Sequence, residues 1–288
     1  MRRIASGEPL LIIATVPQNP TIVLRKTIAQ TFAQLRQQNR IALMPFIPAG
    51  YPSLDATAAV LPALEAGGAS LIEIGIPFSD PIADGPTIQS AFTHALQQGL
   101  KVHDVIEMVR GVRPSLSIPL VAMVSYSIVF RYGAERFFGE LNSAGFDGVI
   151  IPDLPPPEAQ SVCTKVRSAG LDTVLLVSPT TPDERKSQIV ALCSGFVYLM
   201  SVAGITGERD RLPADLEANI RQLQALSTTP VCVGFGISRP EHVAQLNHIA
   251  DGAIVGSALV RRLADHPDQS PAKLAEIARD YCAELLGR

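Results

Sequence analysis

The stretch LIEIGI, Leu71 to Ile76, shows the pattern that decides the fold of this chain: a short aliphatic run, then turn residues, then a segment with helical periodicity. Equivalent runs begin near Ile41, Leu71, Pro119, Asp147, Thr173, Phe196, Val231 and Asp251. They recur about every 30 residues, the length of one βα unit, and continuous aliphatic strands suit a parallel sheet buried on both faces. Eight such units predict a single α/β domain, a (β/α)8 TIM barrel.

Two of these runs are similar in sequence. AGFDGVIIPD, from Ala144 to Asp153, resembles IADGAIVGSA, from Ile249 to Ala258, and their Asp-Gly pairs lie about four βα units apart. In a closed barrel, strands four and eight would therefore face each other. No linker long enough to separate two domains interrupts the series, which predicts one barrel domain over residues 27–288.

The N-terminal region precedes the repeating units. An extra helix is predicted from about Thr27 to Gln38, because Ile28, Phe32 and Leu35 share one face at helical spacing. Residues 1–26 are expected to form a loosely ordered extension. The extension has the charged and apolar parts of a secretory signal, but Glu8 interrupts the first and no small-residue cleavage site follows the second. We therefore predict a cytoplasmic location.

Composition excludes several classes of protein. Of 288 residues, 47% are hydrophobic and 18% are charged, so the chain is rich enough in apolar residues to fold around a core. The formal net charge is -3 and no strongly basic block occurs, which argues against nucleic acid as a partner. No segment predicts a membrane span. The four cysteines form no CxxC pair and the five histidines lack metal-ligand spacing, so we predict neither a metal site nor a disulfide framework.

Glu73 is the first candidate for catalysis. Alternation along the strand places Ile72 and Ile74 on one face and Glu73 on the other, which predicts that its carboxylate points into the barrel. An apolar lumen raises the pKa of a carboxyl group and so prepares it as a general acid or base near neutral pH. The alternative is a structural ion pair, although the strand cores contain no obvious basic partner.

Asp84 is the second candidate, in the loop that follows the strand of Glu73. The alternative is structural: Asp84 or Gly85 is then an ordinary helix N-cap, with Pro86 at the first helical position. Beside Glu73, however, Asp84 would supply a second carboxylate for acid-base chemistry without a metal.

Glycines follow each of the last three predicted strands. They are Gly204 and Gly207 after strand six, Gly234 and Gly236 after strand seven, and Gly256 with Ser257 after strand eight, where Ser257 is expected to open the final helix. Backbone amides at such turns and helix N-termini bind anions, and barrels of this kind often bind phosphate at loops seven and eight. Each glycine alone is equally explained as a turn residue, but together they predict a phosphate site.

Several motifs resemble one known family. LIEIGIPFSDPIADGPTIQSA is similar to the signature of the tryptophan synthase α subunit family, and MPFIPAGYP (Met44 to Pro52), YLMSVAGITG (Tyr198 to Gly207), VGFGIS (Val233 to Ser238) and VGSALV (Val255 to Val260) match the family in the same order. The resemblance covers roughly Thr27 to the C-terminus. It implies cleavage of indole-3-glycerol phosphate to indole and glyceraldehyde 3-phosphate, with indole passed to a β subunit.

The resemblance also implies roles for individual residues. Glu73 would protonate the indole ring carbon and later accept a proton from the glycerol hydroxyl, while Asp84 would hold the indole N–H. Thr206 would contact Asp84 when its loop closes, and Asp80 would lie nearer the β subunit. The amides of Gly207, Gly236 and Ser257 would bind the phosphate. Phe46 and Tyr198 would border the indole pocket.

The same resemblance implies an α2β2 heterotetramer in which pyridoxal phosphate belongs to the β subunit, with no cofactor in this chain. Two alternatives remain open: a stand-alone lyase that releases free indole, and a non-catalytic barrel that binds a phosphorylated metabolite. Ser127 and Ile128 depart from the family's usual asparagine and proline in the loop after strand three.

Overall fold

The computed structural model describes residues 24–81, 84–201, 213–234 and 236–288. The strands are β1 (Ala42–Pro48), β2 (Ile72–Gly75), β3 (Leu120–Met123), β4 (Gly148–Ile150), β5 (Asp172–Val177), β6 (Val197–Met200), β7 (Val231–Gly234) and β8 (Gly252–Val255). All neighbouring strands pair in parallel, and β1 pairs with β8 to close the barrel. The predicted TIM barrel is confirmed, and β4 lies opposite β8 as the two similar Asp-Gly motifs predict.

Helices surround the barrel in the order that alternating βα units require. They are α1 (Ile28–Gln37), α2 (Leu54–Ala66), α3 (Pro86–Gln97), α4 (Val102–Val112), α5 (Tyr126–Tyr132), α6 (Ala134–Ala144), α7 (Pro156–Ser168), α8 (Asp183–Leu192), α9 (Leu216–Leu226), α10 (Pro240–Leu246), α11 (Ser257–Ala264) and α12 (Pro271–Leu285), with a 3-10 turn at Arg113–Ser115. The sequence suggested that Ser257 begins the last helix. This is wrong, because Ser257 begins α11, and α12 follows it and packs along α2.

Side chains of β2 alternate between two packing layers. Ile72, Ile74 and Ile76 belong to the core between the barrel and its helices, whereas Leu71 belongs to a second cluster inside the lumen. Glu73 lies on the same side of the strand as Leu71 and is completely buried. The alternation read from the sequence is therefore confirmed.

The predicted N-terminal helix closes one end of the barrel. Thr27 and Gln30 form a capping box at the start of α1, which explains why the helix begins there. Ile28, Phe32 and Leu35 pack into the lumen cluster beside the first residues of several strands, with Phe32 and Phe196 ring centroids 6.1 Å apart. This leaves the opposite, C-terminal end of the barrel as the open one.

Two arginines, one just before α1 and one in its last turn, pair with the aspartates of the two similar Asp-Gly motifs. Arg25 contacts Asp147 at 3.1 Å and Arg36 contacts Asp251 at 2.8 Å. Each aspartate also accepts a 2.9 Å hydrogen bond from the first backbone amide of β3 or β7, respectively. The repeated Asp-Gly motif thus has one local role at two opposite strands, and α1 spans between them.

Two further observations bear on the expectations from composition. The four cysteines are buried free thiols. Over the described ranges, no helix combines the length and hydropathy needed to cross a bilayer, and no group of three or more His, Cys, Asp or Glu side chains is placed to hold a metal ion.

Candidate active site

A cavity of about 570 Å³ opens at the C-terminal end of the barrel. Most of its described lining comes from residues at or just beyond the strand ends, which is where TIM barrels place their chemistry. The walls are mostly apolar, and the polar groups are carboxylates, hydroxyls and the backbone of glycine turns. None of the described lining residues is Lys, Arg or His.

Glu73 lies in the lumen at the base of this cavity. In the sheet it stands beside Phe46 of β1 and Val121 of β3, and Phe46 lines the cavity although Glu73 itself does not. Neither carboxylate oxygen has a hydrogen-bond partner within the described part of the chain. Burial therefore raises the pKa of Glu73 well above its usual range, and the alternative of a structural ion pair finds no partner there.

Asp84 lines the same cavity from the loop after β2. The N-cap of α3 is Gly85, with Pro86 at the first helical position and no side-chain cap, so of the two predicted cap residues Gly85 is confirmed and Asp84 is not the cap. Its backbone is held instead, since the Asp84 carbonyl accepts a 2.7 Å hydrogen bond from Gln89 Nε2. Partial burial raises the pKa of the Asp84 carboxyl to about 6.

Tyr198 is close enough to both carboxyl groups for their charges to affect it. Its phenol is buried beneath the cavity, and the negative charges of Glu73 and Asp84 add to the effect of burial in raising its pKa. Phe46 and Tyr198 both line the cavity, as the resemblance implies. A Cβ atom at Gly234 would lie 2.2 Å from the Tyr198 hydroxyl oxygen, so glycine at this position makes room for the tyrosine.

The predicted phosphate site is at the β7 and β8 side of the cavity. Gly236, Gly256 and Ser257 line it together. Gly236 has a φ of +89°, which glycine adopts without strain, and Gly256 is the N-cap of α11, whose first residue is Ser257. The N-terminus of α11 therefore meets the cavity with backbone N–H groups available for an anion. Thr206 and Gly207 lie outside the described residues.

Sequence reasoning missed the polar residues on the β3 to β5 side. Ser125, Asp153, Ser178 and Thr181 all line the cavity. PDLPPPEA was interpreted only as a turn into a helix, which α7 confirms, but its Asp153 stands just beyond the C-terminal end of β4. That position was the available signal, because residues there point toward the active site of a TIM barrel.

Comparisons with known proteins agree on one family. The model of the tryptophan synthase alpha chain family matches residues 32–285. The tryptophan synthase alpha chain of Chloroflexus aurantiacus is 48% identical over 263 residues, covering 90% of this chain and 97% of that protein. The corresponding chain of Cyanothece sp. is 44% identical over 261 residues, with 90% and 96% covered.

Solved structures give the same result. A structure of Mycobacterium tuberculosis tryptophan synthase superposes with a TM-score of 0.81 at 35% identity, covering 91% of this chain and 98% of that one. A mutant tryptophan synthase α-subunit from Pyrococcus furiosus gives 0.79 at 37% identity, with 86% and 98% covered. This chain therefore belongs to the tryptophan synthase alpha chain family.

Proposed function

We propose that this chain is the α subunit of a tryptophan synthase and cleaves indole-3-glycerol phosphate to indole and glyceraldehyde 3-phosphate. The reaction is a retro-aldol cleavage, so the enzyme is a carbon-carbon lyase. The observation that carries the proposal is the buried Glu73 carboxyl group, which has no hydrogen-bond partner among the described residues and lies at the base of the cavity that Asp84 lines.

The two ends of the substrate differ in chemistry, and so do the two sides of the cavity. The indole ring would lie against Phe46 and Tyr198, where burial of aromatic surface favours binding. The phosphate would lie at Gly236, Gly256 and Ser257, where backbone amides and the start of α11 favour an anion.

The first chemical step needs one protonated and one ionised carboxyl group. Burial raises the pKa of Glu73 and so favours its protonated form, which donates its proton to the ring carbon that bears the glycerol chain. Positive charge then develops on the ring nitrogen. Asp84, ionised above about pH 6, accepts the hydrogen bond from that N–H and stabilises the charge.

The second step breaks the carbon-carbon bond. Glu73, now ionised, accepts the proton from the hydroxyl on the glycerol carbon attached to the ring. That carbon becomes the aldehyde, the electrons of the broken bond return to the ring, and neutral indole is released. Glu73 regains its proton, so the pair of steps consumes no external acid, base or oxidant.

A β subunit is the proposed partner, in an α2β2 complex. The family to which this chain belongs supports this partner, and 74% of the Phe130 side chain on α5, the helix after the cavity-lining β3, is exposed. The described lining of the cavity contains no lysine that would hold pyridoxal phosphate as a Schiff base, so we assign that cofactor to the β subunit. A cytoplasmic location completes the proposal.

The test is Glu73→Gln in the full-length chain, assayed for indole formation with and without a β subunit. Glutamine keeps the shape but cannot exchange a proton, so cleavage should fall by orders of magnitude while substrate binding survives. The matched control is Glu276→Gln on the exposed side of α12, which should keep full activity. Retained turnover in Glu73→Gln would contradict the mechanism. If the wild-type chain binds the substrate but does not cleave it, the result would favour a non-catalytic barrel. Equal activity with and without the β subunit would favour the stand-alone lyase.

A further inference from the structure

Asp153 joins two neighbouring loops at the mouth of the cavity. It follows β4, but its carboxylate reaches across to the loop after β3. One oxygen accepts a hydrogen bond from Ser125 Oγ at 2.7 Å, and the other accepts one from the backbone N–H of Tyr126, also at 2.7 Å. The N–H···O distance is at the short end of the range for its type, and the O–H···O distance is ordinary, so both hydrogen bonds are well formed.

These two donors define the start of α5. Ser125 is its N-cap and Tyr126 is its first residue. Ser125 Oγ also accepts from the backbone N–H of Ser127 at 3.3 Å and contacts the Ser127 hydroxyl at 3.0 Å. Because Ser125 and Asp153 both line the cavity, the position of the Asp153 carboxylate sets the position of this part of its wall.

The wall continues directly into the strand beside Glu73. Val121 of β3 stands opposite Glu73 of β2, and Met123, two residues further along, lines the cavity. Met123 also packs against both the lumen cluster and the cluster around Phe46. A shift of the β3 end would therefore change the apolar surface that faces the ring of the substrate.

The phosphate side is independent of this wall. Gly236, Gly256 and Ser257 follow β7 and β8, which lie on the opposite side of the closed barrel from β3 and β4. The hydrogen bonds of Asp153 to Ser125 and Tyr126 remain within the β3 and β4 loops.

We propose that Asp153 is a positioning residue for the cleavage reaction: it fixes the β3 wall so that the cavity fits the indole ring. This proposal rests on the proposed function for its substrate. It separates ring recognition, which needs Asp153, from phosphate recognition, which does not.

The test is Asp153→Asn in the full-length chain. Asparagine keeps one acceptor oxygen for the Tyr126 N–H, but its amide nitrogen cannot accept from Ser125, so that hydrogen bond is lost or must reverse its direction. The KM for indole-3-glycerol phosphate should rise about tenfold, whereas kcat should change less than about threefold because Glu73 and Asp84 are untouched.

Binding measurements separate the proposal from cleavage itself. Calorimetry with indole alone should show about tenfold weaker binding in Asp153→Asn, and calorimetry with inorganic phosphate alone should show no change beyond about twofold. If the wild-type chain binds indole but does not cleave indole-3-glycerol phosphate, the proposed function fails while the role of Asp153 is still measured by these two ligands.

A matched pair at the other end of the barrel provides the control. Asp172 accepts a 2.7 Å hydrogen bond from Ser194 Oγ, and Ser194 Oγ in turn accepts one from the Thr173 backbone N–H. Asp172→Asn should leave KM and both binding constants at wild-type values, since this pair is remote from the cavity.

Ser125 supplies a second pair of variants. Ser125→Ala removes one donor and should raise KM about threefold, and Ser125→Thr, which keeps the hydroxyl, should raise it less. The proposal is overturned if Asp153→Asn keeps a wild-type KM, if it loses kcat and thermal stability together at constant KM, or if phosphate binding weakens as much as indole binding.

Discussion

The two ends of the barrel differ in how many hydrogen-bond donors surround their carboxylates. At the closed end, Asp147 accepts hydrogen bonds from Arg25, Arg113 and a backbone amide, and Asp251 accepts from Arg36 and another amide. At the open end, Glu73 is fully buried and no described group donates to it.

The difference shows how hydrogen-bond donors change the pKa of a carboxyl group that burial has raised. Burial raises the pKa of Asp147 as well, but its three donors oppose that effect, whereas nothing described opposes it at Glu73. A carboxylate with partners is stabilised in its ionised form, whereas burial without partners favours the protonated form. Four changes test this contrast, from the largest expected effect to the smallest.

Asp147→Ala should lower the free energy of unfolding by about 3–5 kcal/mol, because it leaves the buried guanidinium of Arg113 without its carboxylate. Urea unfolding followed by circular dichroism measures the change. Asp268→Ala, at an exposed position between α11 and α12, is the control and should stay within about 0.5 kcal/mol of wild type. A comparably small effect at Asp147 would mean that the closed end does not depend on paired carboxylates.

Asp84→Asn should lower kcat/KM about 100-fold, since the charge that stabilises the ring nitrogen is removed. In the wild type, kcat/KM should fall below about pH 6, where Asp84 gains a proton, and this acidic limb should vanish in the variant. Asp80→Asn, in the same loop, should keep the limb. Persistence of the limb in Asp84→Asn would assign it to another group.

Glu73→Gln should make the protein more stable than wild type at neutral pH, even though it destroys activity. The folded-state pKa of Glu73 lies above its unfolded value, so wild-type stability is complete at low pH and declines as pH rises through that interval, by about 1.4 kcal/mol per pH unit. Denaturant unfolding at pH 5 and pH 7 should show the gap between variant and wild type widening. A constant gap would mean that burial does not perturb Glu73.

Arg36→Ala should cost at most about 1 kcal/mol, because half of the Arg36 side chain is exposed and Asp251 keeps its backbone donor. The same urea titration measures it, and raising the salt concentration should shrink the difference from wild type. A loss as large as that of Asp147→Ala would place the main strength of the closed end at Asp251 instead.

Much of this contrast follows from local sequence patterns. Period-two alternation is enough to turn Glu73 inward, and helical spacing is enough to identify the buried face of α1. Both signals come from residues a few positions apart. The same holds for the glycines at β7 and β8, whose place in the barrel follows from counting strands.

What the sequence did not predict depends on contacts between distant residues. Nothing near Arg36 indicates Asp251 as its partner, and nothing near Asp153 indicates that it holds Ser125 in another loop. The N-cap of α3 is a local question that remained ambiguous, because Asp84 and Gly85 both suit the position and only the backbone geometry decides between them.

The two ion pairs of α1, Arg25 with Asp147 and Arg36 with Asp251, also have a consequence for the order of folding. Arg25 and Asp147 are 122 residues apart, whereas Arg36 and Asp251 are 215 residues apart. The longer loop costs only about 0.5 kcal/mol more to close, so entropy alone barely separates the two contacts. Synthesis does separate them, because Arg25 and Asp147 both lie within the first 147 residues, whereas Asp251 is made much later. On the ribosome, α1 can therefore pack against the first strands through Arg25 before the last strand has been synthesised, and Arg36 can pair with Asp251 afterwards.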